Sequence, residues 1–370
     1  MKRDGKRFIF RADASLHMGT GHVMRCLTLA NALREQGGEC HFICREHPGN
    51  LIEFIRNQGH HAYPLAYSLA NSKPSAGHER AALAHAAWLG TTQIEDAAAC
   101  RDVVAKIGPH WLIQDHYALD SQWERALKPY YSRLMVIDDL ADRSHECDLL
   151  LDQTFGRESK DYQPRVPAGC RILCGAQYAL LRPEFAELRP YSLERRQQAK
   201  LKNVLVTMGG VDKNNATGCV LDALDKVALP DECQITVVMG AGAPWLASVR
   251  KKSATLSRAI KIHVGISNMA QLMADSDLAI GAAGATSWER CCLGLPAIMV
   301  VLAENQREVA RGLASVSAVK ALFSLDRIST DLPVLLNDLV LSESGLRAMS
   351  AAAARVTDGH GAQALARYLV

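Results

Sequence analysis

The residues best suited to chemistry sit in glycine-containing turns and one acidic tripeptide. In HMGTGHVMRC (17–26), Gly19 and Gly21 let the backbone turn without a Cβ clash, and His22 falls on the first turn of the helix that follows. A histidine there reads as a general base, because the positive end of the helix disfavours imidazolium and leaves the ring able to take a proton. The alternatives are a plain strand–helix turn with a capping histidine, and His17, which precedes the glycines and reads as solvated. QDHYALD (114–120) places Asp115, His116 and Tyr117 directly after a strand, on the same edge as His22; a solvated loop is the competing reading.

Two further turns suit a nucleotide. TMGGVDKNN (207–215) brings Gly209 and Gly210 to a helix N-terminus, where backbone N–H groups can meet a diphosphate; a tight turn alone is the alternative. GAAGATSWERCCLGLPAIMVV (281–301) repeats the arrangement. Gly284 lies in a run of small residues, Thr286 and Ser287 offer hydroxyls, and Glu289 is a carboxylate able to accept two vicinal ribose hydroxyls. Glu289 also fits a capping box with Thr286 as cap. Asp138, Asp139, Asp142 and His145 in IDDLADRSHECD (137–148) have metal-ligand chemistry, but acids in a tight loop more often cap turns. Cys40, His41, Cys44 and His47 offer another metal option. ECHFIC (39–44) reads better as a buried strand with Cys40, Phe42 and Cys44 on one face, the two cysteines about 13 Å apart and too far for one ion. No metal is assigned.

Such residues need sheets whose strands end on one edge. FIFRAD (8–13), ECHFIC, HWLIQD (110–115), SRLMVIDD (132–139) and LLLD (149–152) read as strands. Helices are expected from His22 to about Glu35, with Val23, Leu27, Ala30 and Leu33 on one apolar face, near Leu51–Asn57, and over TTQIEDAAACRDVVAKIG with Thr91 or Thr92 as cap. Residues 66–80 read as a polar loop, and the charged stretch 188–200, without a sustained apolar pattern, as the domain boundary. The alternation restarts with KNVLVTMGG, QITVVMG, IKIHVG, DLAIGAAG and PAIMVV as strands, and with helices from about Asn215, over 267–274 and over 286–293. Apolar strands alternating with helices imply parallel sheets covered on both faces. The expected fold class is α/β: two Rossmann-like domains, 1–190 and 200–355, with a cleft between them, then a C-terminal helix over 356–370. Ligands of such sheets bind beyond the carboxyl ends of the strands.

Composition narrows the class. The chain has 370 residues, 22% of them charged, and a net charge of +3, which argues against wholesale nucleic-acid binding. The apolar run in MKRDGKRFIF ends at Arg11 and Asp13, too short for a secretory segment, and no stretch approaches a membrane span. A cytoplasmic chain is expected. Eleven cysteines without paired C-x-x-C knuckles read mostly as small buried hydrophobes in a reducing compartment. The expected partner is a small molecule, with no cofactor, nucleic acid or membrane, and the chain reads as a monomer.

Together, GTGHVMRCLTLANAL, QDHYALD, IDDLADRSHECDLLLDQ, GAQYALLRPEF, TMGGVD and GAAGATSWERCCLGLPAIMV resemble the UDP-sugar hydrolase family of pseudaminic acid biosynthesis, over about residues 8–310. The resemblance implies the GT-B fold, similar to the lipid II N-acetylglucosaminyltransferase MurG. It implies metal-independent attack of water at C1 of a UDP-diacetamido-trideoxy-β-L-altropyranose, with inversion and C–O cleavage, releasing UDP and the free sugar. By resemblance His22 is the base and Tyr117 stands by the sugar and the attacking water. Asp13, Gly21, Arg25, Asp115 and His116 line the sugar, and Gly209, Gly210, Gly284, Thr286, Ser287, Glu289 and Asn305 hold UDP. The segment 66–95 is longer than in a minimal member, and SESGLRAMSAAAARVTDGHGAQALARYLV resembles a closing tail. The residues alone favour a UDP-sugar enzyme and do not separate water from a sugar acceptor. A MurG-type transferase, a hydrolysing 2-epimerase and a silent UDP-sugar-binding protein stay open; the resemblance favours the hydrolase. Glycosidases commonly use two carboxylates. A UDP leaving group, stabilised by loop amides, makes a single base sufficient.

Overall fold

The computed structural model describes residues 5–67, 83–198, 200–340 and 342–370. The chain forms two compact units, residues 1–180 with 361–370, and residues 181–360.

The first unit contains β1 (Arg7–Ala12), α1 (Gly21–Glu35), β2 (Glu39–Arg45), α2 (Ile52–Asn57), β3 (His61–Leu65), α3 (Gln93–Ile107), β4 (Trp111–Asp115), α4 (Ser121–Leu127), β5 (Arg133–Ile137), β6 (Leu149–Asp152) and β7 (Arg171–Cys174). The strands pair in parallel in the order β3-β2-β1-β4-β5-β6-β7. Successive side chains of a strand point to opposite faces. Phe8 and Phe10 of β1 therefore pack in one cluster with Val23 and Leu29 of α1, while Ile9 packs in another with Ala97, Cys100 and Val104 of α3. Full burial of such a side chain contributes about 1.5–3 kcal/mol. Cys40, Phe42 and Cys44 share one face of β2, as expected, and Phe10 stacks on Phe42 at 4.8 Å. Thr92 caps α3 in a reciprocal box with Glu95. The sequence reading does not place β3, which is half-exposed, sits at the sheet edge and carries Pro64, a residue tolerated only at such an edge. From residue 68 onward, the loop read over 66–80 lies outside the described residues.

The second unit contains α5 (Pro183–Arg195), β8 (Asn203–Thr207), α6 (Ala216–Leu224), β9 (Gln234–Met239), α7 (Leu246–Ser253), β10 (Ile260–Val264), α8 (Met269–Asp275), β11 (Leu278–Ala282), α9 (Thr286–Cys292), β12 (Ala297–Val300), α10 (Arg307–Ser315), β13 (Val319–Leu322), α11 (Ile328–Val340) and α12 (Glu343–Ala354). Its parallel sheet runs β10-β9-β8-β11-β12-β13. The charged stretch 188–200 is not a linker, since most of it continues α5 within this unit. Its arginines serve helix ends: Arg196 donates to the carbonyls of Met273 and Ser276 at the end of α8, and Arg189 to those of Ala354 and Thr357 at the end of α12. Helix α13 (Gly361–Leu369) belongs to the first unit, where Leu365, Ala366 and Leu369 join the cluster under α1.

The two sheets share one topological feature. Strand order reverses between β1 and β4 in the first and between β8 and β11 in the second. A crevice outside the carboxyl ends of the strands opens at such a switch point. No described helix is long and apolar enough to cross a membrane.

Candidate active site

At the switch point of the first sheet, α1 begins after the turn that follows β1, and β4 ends at Asp115. Gly19 adopts φ +84 in that turn, a conformation that favours glycine, and Gly21 opens the helix, exposed. Thr20 is the N-cap, without a side-chain cap bond, so His22 does not cap the helix. His22 instead turns its ring to Asp115, with Nδ1 2.6 Å from Oδ1. Arg25, one turn along α1, grips the same carboxylate with Nε to Oδ2 at 2.6 Å and Nη2 to Oδ1 at 2.7 Å. Its remaining nitrogen, Nη1, donates to Asp139 Oδ2 at 2.5 Å, and the Tyr117 hydroxyl donates to the same oxygen at 2.9 Å. Tyr117 lies edge-on to the His22 ring at 4.5 Å. His17 is exposed.

The electrostatics assign the protons. Burial pushes the Asp115 carboxyl up, but Arg25 and then His22 overcome it and hold it far below the usual carboxylate range. An ionised Asp115 only accepts, so His22 Nδ1 carries the hydrogen, and in a neutral ring the lone pair then falls on Nε2. Among the described residues nothing hydrogen-bonds Nε2, and His22 is 7% exposed. Burial, then Asp139, push the Tyr117 phenol far up, so it stays a neutral donor.

Asp13 and His116 stand in a connected layer. Asp13 accepts from Arg11 Nη1 at 2.6 Å and from the Arg45 amide at 2.7 Å. Burial raises its pKa, yet Arg11 and the facing imidazoles of His116 and His47 hold it well below the ordinary range. His116 Nδ1 accepts from the Ala118 amide at 3.0 Å, which turns Nε2 toward Asp13 Oδ2, 3.4 Å away. Asp96 ties Arg11 and Arg45 together beneath them. The Asp138 carboxylate accepts from the amides of Leu140 and Ala141 and pairs with Arg143 at 2.8 Å, so it orders its own turn. His145 is held by Glu124 at 2.6 Å, and these two contacts absorb the metal-like pattern of that loop.

Sequence reasoning weighed Asp139 only as a metal ligand and missed Asp152, Trp88 and His85. The signal for Asp139 and Asp152 is their place at strand ends, like Asp115. Asp152 accepts from Arg157 Nε and the Tyr162 hydroxyl; burial, then Asp139, push its carboxyl up to about 7. Trp88 stacks on Tyr117 at 5.8 Å and meets His22 edge-on at 6.3 Å. Nothing in its local sequence marks it.

In the second unit the candidate nucleotide residues gather on the loops after β8, β11 and β12, around the other switch point. Gly209 (φ +88) and Gly210 are exposed after β8. The expected helix N-terminus beside them is already occupied. Asp212 accepts from the amides of Ala216 and Thr217, and Asn215 from that of Gly218, so only the glycine loop stays open there. At α9 the N-cap is Ala285, which overturns the capping box of Thr286 and Glu289. Gly284 closes the turn by accepting from the Ser287 amide at 2.9 Å. Ser287 is buried, and Thr286 is half-buried. Glu289 keeps Oε2 buried without a hydrogen-bond partner, and burial raises its carboxyl despite Arg182 and Arg290. Asn305 is exposed on the turn Glu304–Gln306. Arg290, which sequence reasoning missed, is buried and donates to the Ala282 carbonyl at 2.7 Å; a Cβ at Gly281 would collide with it and with the Thr207 carbonyl.

Two parallel-sheet, Rossmann-like units with helices at the C-terminus are the architecture of the GT-B glycosyltransferases. The Acinetobacter baumannii MurG structure is similar to this chain with a TM-score of 0.67 at 16% identity, covering 98% of this chain and 99% of that one. Residues 203–365 match the glycosyltransferase family 28 C-terminal domain. Among curated relatives, the UDP-2,4-diacetamido-2,4,6-trideoxy-β-L-altropyranose hydrolase of Campylobacter jejuni is 26% identical over 308 residues, covering 83% of this chain and 96% of the relative. An uncharacterized protein of Methanocaldococcus jannaschii is 26% identical over 300 residues, or 80% of this chain, which spans only 56% of that relative's length. The resemblance read from the motifs thus extends to most of the chain.

Proposed function

We propose that the chain hydrolyses a UDP-linked diacetamido-trideoxy-β-L-altropyranose in pseudaminic acid biosynthesis, by inverting attack of water at C1. The observation that carries this reading is the His22–Asp115 pair, with Nδ1 bound to the carboxylate and Nε2 open at the switch point of the first sheet. Water gives its proton to His22 Nε2 as its oxygen bonds C1. The C1–O bond breaks with its electrons going to UDP, and configuration at C1 inverts. Asp115 holds the tautomer and stabilises the imidazolium that forms, and Arg25 holds Asp115 in place. Tyr117 orients water or sugar through its neutral hydroxyl; Asp13, Gly21 and His116 complete the sugar side. Gly209, Gly210, Gly284, Thr286, Ser287, Glu289 and Asn305 bind UDP, Glu289 through the ribose hydroxyls. The Campylobacter jejuni relative's activity supports this substrate. No metal takes part, and the chain works in the cytoplasm as a monomer.

The test is turnover in oxygen-labelled water: the label belongs on the free sugar, and label on UDP phosphate refutes attack at C1. The match to a glycosyltransferase domain favours one second reading, transfer to a sugar hydroxyl. That reading requires UDP release to stay negligible until an acceptor is added.

A further inference from the structure

At the opposite ends of the same strands lies a cluster that the proposed reaction does not use. β2 begins at Glu39 and β3 at His61, and the parallel register makes His41 and His61 direct partners. Glu39 is two residues before His41, so all three side chains share one face of the sheet. The Nε2 atoms of His41 and His61 stand 3.2 and 3.8 Å from Glu39 Oε1, and ligand atoms of all three lie within 4.8 Å of one another. The two rings stack at 4.9 Å. His41 is 5% exposed, and its Nε2 has no hydrogen-bond partner, because the Glu39 contact lacks the required geometry. An unpartnered buried nitrogen aimed at a carboxylate and a second imidazole calls for a ligand.

We propose that Glu39, His41 and His61 bind one divalent transition-metal ion, Zn2+ best of all. Two imidazoles and a carboxylate are the donor set that suits Zn2+ and its neighbours, with water in the fourth position. The Tyr63 hydroxyl stands 3.5 Å from His41 Nδ1, placed to fix the tautomer that frees Nε2. Ligand bonds of about 2.0–2.2 Å require the donor atoms to draw slightly closer. Glu39 and His61 have side chains 52% and 64% exposed and are free to swing inward. Arg7, the register partner of Glu39, is a nearby cation and limits the affinity. The ion does not serve the reaction: β2 spans about 20 Å at 3.3 Å per residue, and His22 lies beyond the other ends of the strands. It ties the edge strand β3 to β2.

The test is Co2+ and Zn2+ titration of the full chain, followed by absorption, calorimetry and thermal unfolding. Co2+ reports on ligand type, which matters in a chain with eleven cysteines. The expected result is saturable binding of one Co2+ without thiolate charge-transfer bands, and a rise in Tm with Zn2+. His61→Ala and Glu39→Gln, both at exposed side chains, should each weaken binding about tenfold or more. Thiolate bands, no saturation at millimolar metal, or wild-type affinity in both variants would overturn the proposal.

Discussion

His22 Nδ1 and Asp115 Oδ1 are 2.6 Å apart, and Arg25 closes on the same carboxylate from the other side. The ring is thereby fixed in orientation and tautomer by two residues drawn from different elements, α1 and the end of β4. A base with a single open nitrogen results, and its parts can be removed separately.

His22→Asn should lower turnover by about 10²–10⁴-fold, the usual worth of a positioned base. UDP affinity, measured by calorimetry, should be unchanged. A variant with wild-type turnover removes His22 from the reaction.

Asp115→Asn should act twice. An amide can donate to Nδ1, which moves the ring hydrogen to Nε2 and removes the lone pair, so turnover falls by about as much as on losing the histidine. Arg25 also loses a buried partner, and breaking a buried pair costs about 3–5 kcal/mol, visible in urea unfolding. Lost activity at unchanged stability would mean that Arg25 is held by Asp139 alone.

Asp152 makes a pH prediction of defined sign. Its carboxyl titrates at about 7 in the fold and in the ordinary acidic range when unfolded. Between those values the native state binds the extra proton, so its contribution to stability is full at low pH and is lost as pH rises through 7. Asp152→Asn should remove that contribution, so the variant gains on the wild type in urea midpoint from pH 5 to pH 8. Equal midpoint differences at both pH values would contradict the raised value.

Glu289 holds a buried oxygen, Oε2, without a hydrogen-bond partner. Glu289→Ala should weaken UDP binding by about 10–150-fold, the worth of a hydrogen bond to a charged group (about 1.5–3 kcal/mol). Thermal stability without UDP should hold or rise, since an unsatisfied carboxylate is removed. Unchanged UDP affinity would take Glu289 out of the nucleotide site.

Gly281→Ala tests the packing beneath that loop. The new methyl meets Arg290 and the Thr207 carbonyl, and overpacking of this kind costs about 1–3 kcal/mol. Unfolding should show the loss, and UDP binding should weaken with it.

The fold was legible because its strands are mostly buried, so Trp111–Ile113 of β4 and Val204–Val206 of β8 appear as short apolar runs. β3 escaped because it is half-exposed and carries Pro64. The boundary read over 188–200 rested on charge and the lack of a sustained apolar pattern, whereas most of that stretch continues α5. Arg189 and Arg196 are charged in order to reach the carbonyls at helix ends. In the site, His22 and Asp115 were visible from their places after strands. The contact between them was not, because it depends on β1 and β4 being neighbours, and 93 positions separate the two residues. Arg25, three residues after His22, carried a helical spacing that fits one shared target. Glu289 was legible as a ribose ligand but fitted a capping box as well, and only the structure shows that Ala285 is the cap.

The placement of α13 bears on how the molecule is made. Leu365, Ala366 and Leu369 fill the same cluster as Leu27, Leu29 and Ala30 of the helix that carries His22. Residues 181–360, the whole second unit, are made before that cluster can be completed. The helix that carries His22 therefore draws part of its support from residues 361–370, which follow the second unit in the chain. A chain cut before residue 361 would leave the cluster beneath that helix without Leu365, Ala366 and Leu369.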